Sequence, residues 1–147
     1  MIRKVILFVS LLTSVVVSAQ DLNSYNMKRA YEALEEEDYK QAEQFLAAEL
    51  EAYPKNGYAW YFASVLEYQL KSYGDALTTI NEAIRYLPKK DKGFMAMAYT
   101  VRGQIFSDLD NAEAALNDYN KAVKYNPKAE RGYEKRSQLY YELGNYE

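Results

Sequence analysis

Carboxylates and phenols carry whatever reactive chemistry this chain has. It contains no histidine and no cysteine. That removes the commonest general base, the thiol nucleophile, imidazole and thiolate metal ligands, and any disulfide framework. The acidic run Glu35, Glu36, Glu37, Asp38 reads as a solvated face rather than an acid–base pair. Asp108, Asp110 and Asn111 look like the start of a calcium loop, but the glycine and the distal glutamate that such a loop needs are missing. No glycine-rich phosphate loop and no nucleophile–base constellation is present. The expectation is therefore a protein with no catalytic residues, no metal and no cofactor. The net charge of −3 gives no electrostatic footprint for nucleic acid. Tyrosine, at 16 residues, suits protein interfaces, because it offers a large flat area and a hydroxyl.

The elements that position these side chains are helices. Between Gly57 and Pro88, Trp60, Ala63, Ser64 and Val65 recur at helical spacing, and so do Ala76, Ile80, Ala83 and Ile84. Each set falls on one face of a helix. Lys71 to Gly74 interrupts the pattern, Ser72 followed by Asp75 is a candidate cap, and Pro88 ends the second helix. The small residues Ala63, Ser64, Ala76 and Ala83 let two antiparallel helices approach closely. The chain is 49% hydrophobic and 27% charged over 147 residues, which suits one globular domain.

This unit resembles a tetratricopeptide repeat, carried by Trp60, Ala63-Ser64, Ala76, Ile80 and Pro88, with Glu67 departing from the large apolar residue expected there. Tyr68 beside it is a candidate to supply the bulk. The resemblance implies an all-α, right-handed superhelix of about three and a half helix-turn-helix repeats. Residues 20–56 read as a divergent first repeat, with Met27, Ala30, Tyr31 and Leu34 on the face of a helix from about Leu22 to Glu37 and a partner helix from Tyr39 to Tyr53. Glu49 there stands where a small residue is expected. Residues 57–90 form the second repeat and 91–129 the third. Pro54 and Pro88 lie 34 residues apart, Pro88 and Pro127 lie 39 apart, and the five extra residues fall near Lys89 to Phe94. They predict a longer connection or an extra helical turn, with a charged functional protrusion as the sharper alternative. Asp91 and the pair Asp110 and Glu113 are candidate caps.

In the third repeat, Tyr99, Arg102-Gly103, Phe106, Ala115, Asp118-Tyr119 and Pro127 resemble the arginine-glycine variant of the family. Arg102 is expected to pair with Asp118 across the two helices, orienting them and binding no ligand. If partly exposed, such a pair contributes under about 1 kcal/mol. Gly103 in a helix interior costs up to about 1 kcal/mol, and close packing is the expected compensation. Residues 130–147 supply Tyr133, Arg136-Ser137, Tyr140 and Gly144, the first helix of a fourth repeat and the turn after it. Arg136 matches Arg102, and its acidic partner would lie in a following helix. Either this helix is a cap, or the chain is the front part of a longer protein; the repeat logic favours the second.

Met1 to Ala19 reads as a leader outside the fold. Arg3 and Lys4 precede an apolar run of 13 residues, Val5 to Val17, and Val17-Ser18-Ala19 offers small residues for cleavage before Gln20. The run is too short to span a bilayer comfortably. A cleaved bacterial secretory signal is favoured over a retained anchor, which implies a periplasmic or secreted product. Without the leader, 16 basic and 21 acidic side chains remain, a charge of −5.

The resemblance also implies that the first helices of the repeats line a concave groove that holds peptides. By alignment the groove residues are Tyr31, Tyr58, Tyr61, Phe62, Val65, Tyr68, Met97 and Val101, an aromatic and apolar surface unless the rings pack between helices instead. Carboxylate-clamp relatives use cationic and amide residues where this chain has Met27, Tyr31, Phe62, Met97 and Val101, so no such clamp is expected. Three functional readings follow. The first is a non-enzymatic module of the bacterial cell envelope that binds a peptide or partner helix. The others are the front scaffold of a larger secreted protein and a solenoid that self-assembles into a homo-oligomer.

Overall fold

The computed structural model describes residues 22–144; the leader sequence and its cleavage site lie outside them. Seven helices follow one another: α1 Tyr25–Glu35, α2 Tyr39–Ala52, α3 Gly57–Gln69, α4 Tyr73–Tyr86, α5 Lys92–Asp108, α6 Ala112–Tyr125 and α7 Glu130–Glu142. α1 packs on α2, α3 on α4 and α5 on α6, and α7 lies against α6 and α5. The protein is an all-α solenoid of stacked helix pairs. α1 is shorter than its sequence reading, starting at Tyr25 because Ser24 caps it, with Ser24 Oγ accepting the Met27 amide at 3.1 Å.

One turn geometry makes every hairpin. At the end of α1 the amide of Asp38 donates to the carbonyl of Ala33 and that of Glu37 to Leu34; Ser72 to Glu67 with Lys71 to Tyr68, and Asn111 to Phe106 with Asp110 to Ser107, repeat it. This is the Schellman closure, and it needs a left-handed residue just past the helix. Glu37, Lys71 and Asp110 take that conformation, with φ of 58°, 62° and 58°. Each is followed by the residue that starts the next helix. Asp38 and Asn111 cap it with their side chains, accepting the amides of Gln41 at 3.0 Å and Ala114 at 3.2 Å. The cap of α6 is thus Asn111 and not Asp110, which the turn occupies. Ser72 starts α4 but makes no side-chain cap bond; the expected Ser72–Asp75 cap is not formed, and the closure of the turn by its backbone suffices.

Between pairs, Pro54, Pro88 and Pro127 each stand one residue past a C-cap, at Tyr53, Leu87 and Asn126, where the missing amide is not needed. Two glycines permit contacts that a methyl group would block. A Cβ on Gly57 would lie 2.4 Å from the Leu87 backbone nitrogen, and one on Gly103 would lie 2.6 Å from the Tyr119 ring. The compensation for glycine inside α5 is the aromatic ring of α6 seated on it.

The 39-residue spacing resolves into helix. α5 has 17 residues where α3 has 13, and one further residue lengthens the connection before it. The added turn begins at Asp91, whose Oδ1 accepts the Phe94 amide at 3.1 Å. Phe94 and Met95 are fully buried, so the charged protrusion is not formed: the lysines stay outside while the two apolar residues enter the core.

Two acidic residues sit where apolar or small ones were expected, with opposite outcomes. Glu49 is buried, yet its carboxylate accepts from Ser24 Oγ at 2.6 Å and from Asn56 Nδ2 at 2.8 Å. Ser24 and Asn56 are themselves the caps of α1 and α3, so Glu49 fixes the starts of two helices at once. Glu67, on α3, is less well served. Burial raises its proton affinity above the ordinary carboxylate value, a hydrogen bond with Thr79 opposes this, and Asp75 and Glu43 add to it. Its Oε2 is buried with no hydrogen-bond partner among the described residues. Tyr68 does not supply the missing bulk, because adjacent helical residues diverge by about 100°, and its hydroxyl donates elsewhere.

The folded state therefore binds a proton at Glu67 more tightly than the unfolded state does. Its charge destabilises the fold above that range, and stability is recovered as pH falls through the folded value. We expect Glu67→Leu to stabilise the protein by about 1–2 kcal/mol at pH 7. Urea midpoints should show Glu67→Gln more stable than the parent at pH 7, with the gap narrowing at pH 5. A gap independent of pH would refute this account.

Candidate functional site

The first helices of successive pairs, α1, α3, α5 and α7, form one face of the solenoid, and the eight expected groove residues divide on it. Tyr58, Tyr61, Phe62 and Val101 are buried, at 4%, 2%, 5% and 2% exposure. They do not present the aromatic surface that alignment implied. Tyr31, Val65, Tyr68 and Met97 are partly exposed.

The physical reason is Phe94, delivered by the extra turn of α5. Its ring meets those of Tyr58, Tyr61 and Phe62 edge-on, with centroids 4.8, 5.5 and 6.4 Å away. Tyr61 and Phe62 also meet each other at 5.4 Å, and Tyr31 of α1 reaches Phe62 at 6.4 Å. Edge-to-face contacts of this kind are favourable beyond the area they bury. The aromatic cluster is thus the packed base of the face, and the partly exposed four residues stand on it.

Two phenol–carboxylate hydrogen bonds clamp α3 to α5 near both ends. Tyr58 donates to Asp91 Oδ2 at 2.9 Å, and Tyr68 to Asp108 Oδ2 at 2.6 Å. Burial raises the Tyr68 phenol well above its ordinary value, and Asp108 adds to this, so Tyr68 is a neutral donor at physiological pH. Burial likewise raises Tyr31, helped by a hydrogen bond with Glu35. From α7, Arg131 brings a half-buried guanidinium toward Tyr61 and Tyr68; burial lowers its proton affinity, while Tyr61, Glu134 and Tyr68 pull the other way. Sequence reasoning missed Arg131, whose only signal was its place near the start of a first helix.

At the clamp positions Met27 is buried, Phe62 and Val101 belong to the packed base, and Tyr31 and Met97 are partly exposed. None of them is a cation. Elsewhere, Arg102 and Asp118 come together as a two-point pair, Nε to Oδ2 at 2.6 Å and the second guanidinium nitrogen to Oδ1 at 2.9 Å. Arg102 also donates to Asn81 Oδ1 at 2.7 Å, tying the third pair of helices to the second. Asp108, Asp110 and Asn111 do not converge: one binds Tyr68, one forms the turn and one caps α6. Among the described residues no group of three or more acidic side chains is placed to hold a metal ion, and no helix is long and apolar enough to cross a membrane.

Profiles described as tetratricopeptide repeat match residues 27–91 and 96–129. A search of the curated proteins finds no match. Among solved structures, the first TPR of Spaghetti (RPAP3) bound to the HSP90 peptide SRMEEVD is similar at 19% identity and a TM-score of 0.74, covering 88% of this chain and 97% of that one. The TPR2B domain of yeast Sti1, in a pHsp70 complex, is similar at 17% identity and a TM-score of 0.67, over 81% of this chain and 93% of that one. MamA is similar at 15% identity and a TM-score of 0.72, over 98% of this chain and 77% of that one. At these identities the likeness speaks for the fold alone. With the repeat profiles matching about two thirds of the sequence and the helix pairs stacked as described, the chain belongs to the tetratricopeptide repeat family.

Proposed function

We propose that this chain is a non-enzymatic interaction module of the bacterial cell envelope that holds a peptide or a partner helix on the face made by α1, α3, α5 and α7. The observation that carries this is the division of that face: Tyr31, Val65, Tyr68 and Met97 are partly exposed above a close-packed aromatic base. A preorganised base lowers the entropy cost of binding, and partly exposed tyrosine and methionine supply adaptable contact area. The similar structure of Spaghetti holds an HSP90 peptide and that of Sti1 is a pHsp70 complex, which supports a peptide-holding face. The apolar residues at the clamp positions favour an apolar or aromatic segment over an acidic tail. The envelope location is supported by the sequence of Met1 to Ala19, and a mature N-terminus at Gln20 would test it.

The binding test must spare the base. Tyr61→Ala with Phe62→Ala would remove buried rings and unfold the site, so the informative variant is Tyr31→Ser with Met97→Ser. We expect crosslinking in envelope extracts to show a partner captured by the parent and lost by this variant, with unchanged helical content and a melting temperature within a few degrees. The same partners captured equally by both proteins would refute the reading.

A further inference from the structure

We infer that the edge of the solenoid formed by the connections between helix pairs docks the protein on an anionic bilayer surface. Each pair is a hairpin, so its turn lies at one edge and the connection to the next pair at the other. Glu49 joins the caps of α1 and α3, and Tyr58 joins the start of α3 to Asp91 before α5, which places the connections side by side. The charges separate between the two edges. In and beside the connections stand Lys55, Lys90, Lys92, Lys124 and Lys128, all exposed. In and beside the hairpin turns stand Glu36, Glu37, Asp38, Asp108, Asp110 and Glu113, also exposed. The net charge of −3 averages over both edges and conceals this division.

The fold does not require this separation. Each edge gathers the N-termini of one set of helices and the C-termini of the other, so the macrodipoles offset and favour neither sign. Nor do the lysines hold the structure together. Lys89 turns inward, its ammonium donating to the carbonyl of Ile84, but among the described residues none of the five other ammonium groups makes a hydrogen bond or an ion pair. The carboxylates on their own edge leave them uncovered: Asp91 is taken by Tyr58 and the Phe94 amide, and only Glu51 and Glu130 stand exposed nearby. The helices α2, α4 and α6 that separate the edges have 14 residues each, a length of about 20 Å. That exceeds the screening distance of about 8 Å at physiological salt, so the lysines act without the acidic edge.

The kind of cation chooses the occupant. A lysine ammonium is a hydrated point charge on a flexible stem, without the fork that grips one carboxylate in a fixed geometry, and lysine is depleted from protein interfaces. Against the acidic edge of a second copy these lysines would form exposed pairs of little worth. A bilayer demands no such geometry. It is continuous, so it meets every connection at once, and each lysine near an anionic leaflet contributes about 5-fold in partition. Tyr53, 59% exposed beside Lys55, adds an amphipathic ring of the kind that sits at headgroup level. The hairpin edge is repelled by the same surface, which orients the solenoid with the connections down and the groove face to the side. The inference rests on the envelope reading only for the bilayer that the protein would meet.

The probe is vesicles of phosphatidylcholine mixed equally with phosphatidylglycerol, compared with phosphatidylcholine alone, in cosedimentation with the protein as isolated from its host. The mixed vesicles should bind it more tightly, and the difference should shrink as salt rises. Lys55→Gln with Lys90→Gln and Lys128→Gln, one lysine from each connection, should weaken binding to the mixed vesicles by roughly 100-fold. Adding Glu36→Gln, Glu37→Gln and Glu113→Gln, all exposed on the hairpin edge, restores the net charge and should leave most of that loss in place. Tyr31→Ser with Met97→Ser should leave lipid binding unchanged, so this inference and the groove reading fail separately. Purified vesicles are indifferent to where the protein resides, so the envelope reading also fails separately, by its own N-terminus. Equal binding to both kinds of vesicle, binding indifferent to the three lysines, or recovery with net charge overturns the proposal. So does lysine-dependent binding found only with duplex DNA or with a second copy, which would assign the edge to that partner instead.

Discussion

Alanine at Arg102 is expected to destabilise the fold by about 3–5 kcal/mol, a fall in melting temperature of roughly 10–20 °C for a domain of this size. The sequence reading allowed the Arg102–Asp118 pair under about 1 kcal/mol if it were partly exposed, and burial changes the magnitude. Asp118 is 1% exposed and Arg102 18%, so removing the guanidinium strands a carboxylate inside the protein. Lys121 lies 3.7 Å from Asp118 but its single ammonium is partly exposed and cannot restore the two-point geometry. The same substitution severs Asn81 and removes the cation from the rings of Tyr99 and Phe106. Asp118→Ala should cost less, because the stranded group is then an arginine that keeps Asn81 and reaches solvent. The double variant Arg102→Leu with Asp118→Leu should recover much of the loss, since a buried ion pair is dear to break and cheap to replace. Chemical denaturation of the parent, Arg102→Leu, Asp118→Leu and the double leucine variant closes a cycle and gives the coupling energy directly; a loss below about 1 kcal/mol for Arg102→Ala would place the pair with exposed ones after all.

The contrast between that pair and the aromatic residues shows what the sequence could and could not tell. Arg102 and Asp118 were legible because both their types and their 16-residue separation belong to one helix pair, where the hairpin turn sets the register. The prolines were legible for a similar local reason: each marks a C-cap, and the extra five residues between Pro88 and Pro127 announced an insertion. Exposure of the rings was not legible. Whether Tyr58, Tyr61 and Phe62 face a ligand depends on a residue more than 30 positions away that an additional turn carries over them, and no spacing within α3 encodes that. Turn chemistry misled in a smaller way. Glu37, Lys71 and Asp110 sit where glycine is usual, whereas Gly144, with φ of 73°, holds the corresponding place after α7. Glu49 looked like a misfit because its two donors, Ser24 and Asn56, lie 25 and 7 residues away and meet only after three helices have packed.

Removing the Phe94 ring is the other large effect, and it tests the claim that the extra turn of α5 converts a groove into a packed base. Phe94→Ala should cost about 3–5 kcal/mol, since the ring is fully buried and contacts three other aromatic rings that cannot all move to fill the gap. Local rearrangement is opposed by the clamps: Tyr58 remains tied to Asp91 and Tyr68 to Asp108, which fix the register and spacing of α3 and α5. The void should therefore persist and bind an apolar dye that the parent excludes, with helical content retained below the melting transition. Phe94→Leu should lose less and bind less dye. Adding Tyr58→Phe to Phe94→Ala releases one clamp, so the helices can close on the void. This double variant should bind less dye than Phe94→Ala, although it has lost a further hydrogen bond. A loss under about 1.5 kcal/mol for Phe94→Ala, with no dye bound, would mean that the rings of α3 repack without the insertion. The base of the face would then be a property of α3 rather than of the added turn.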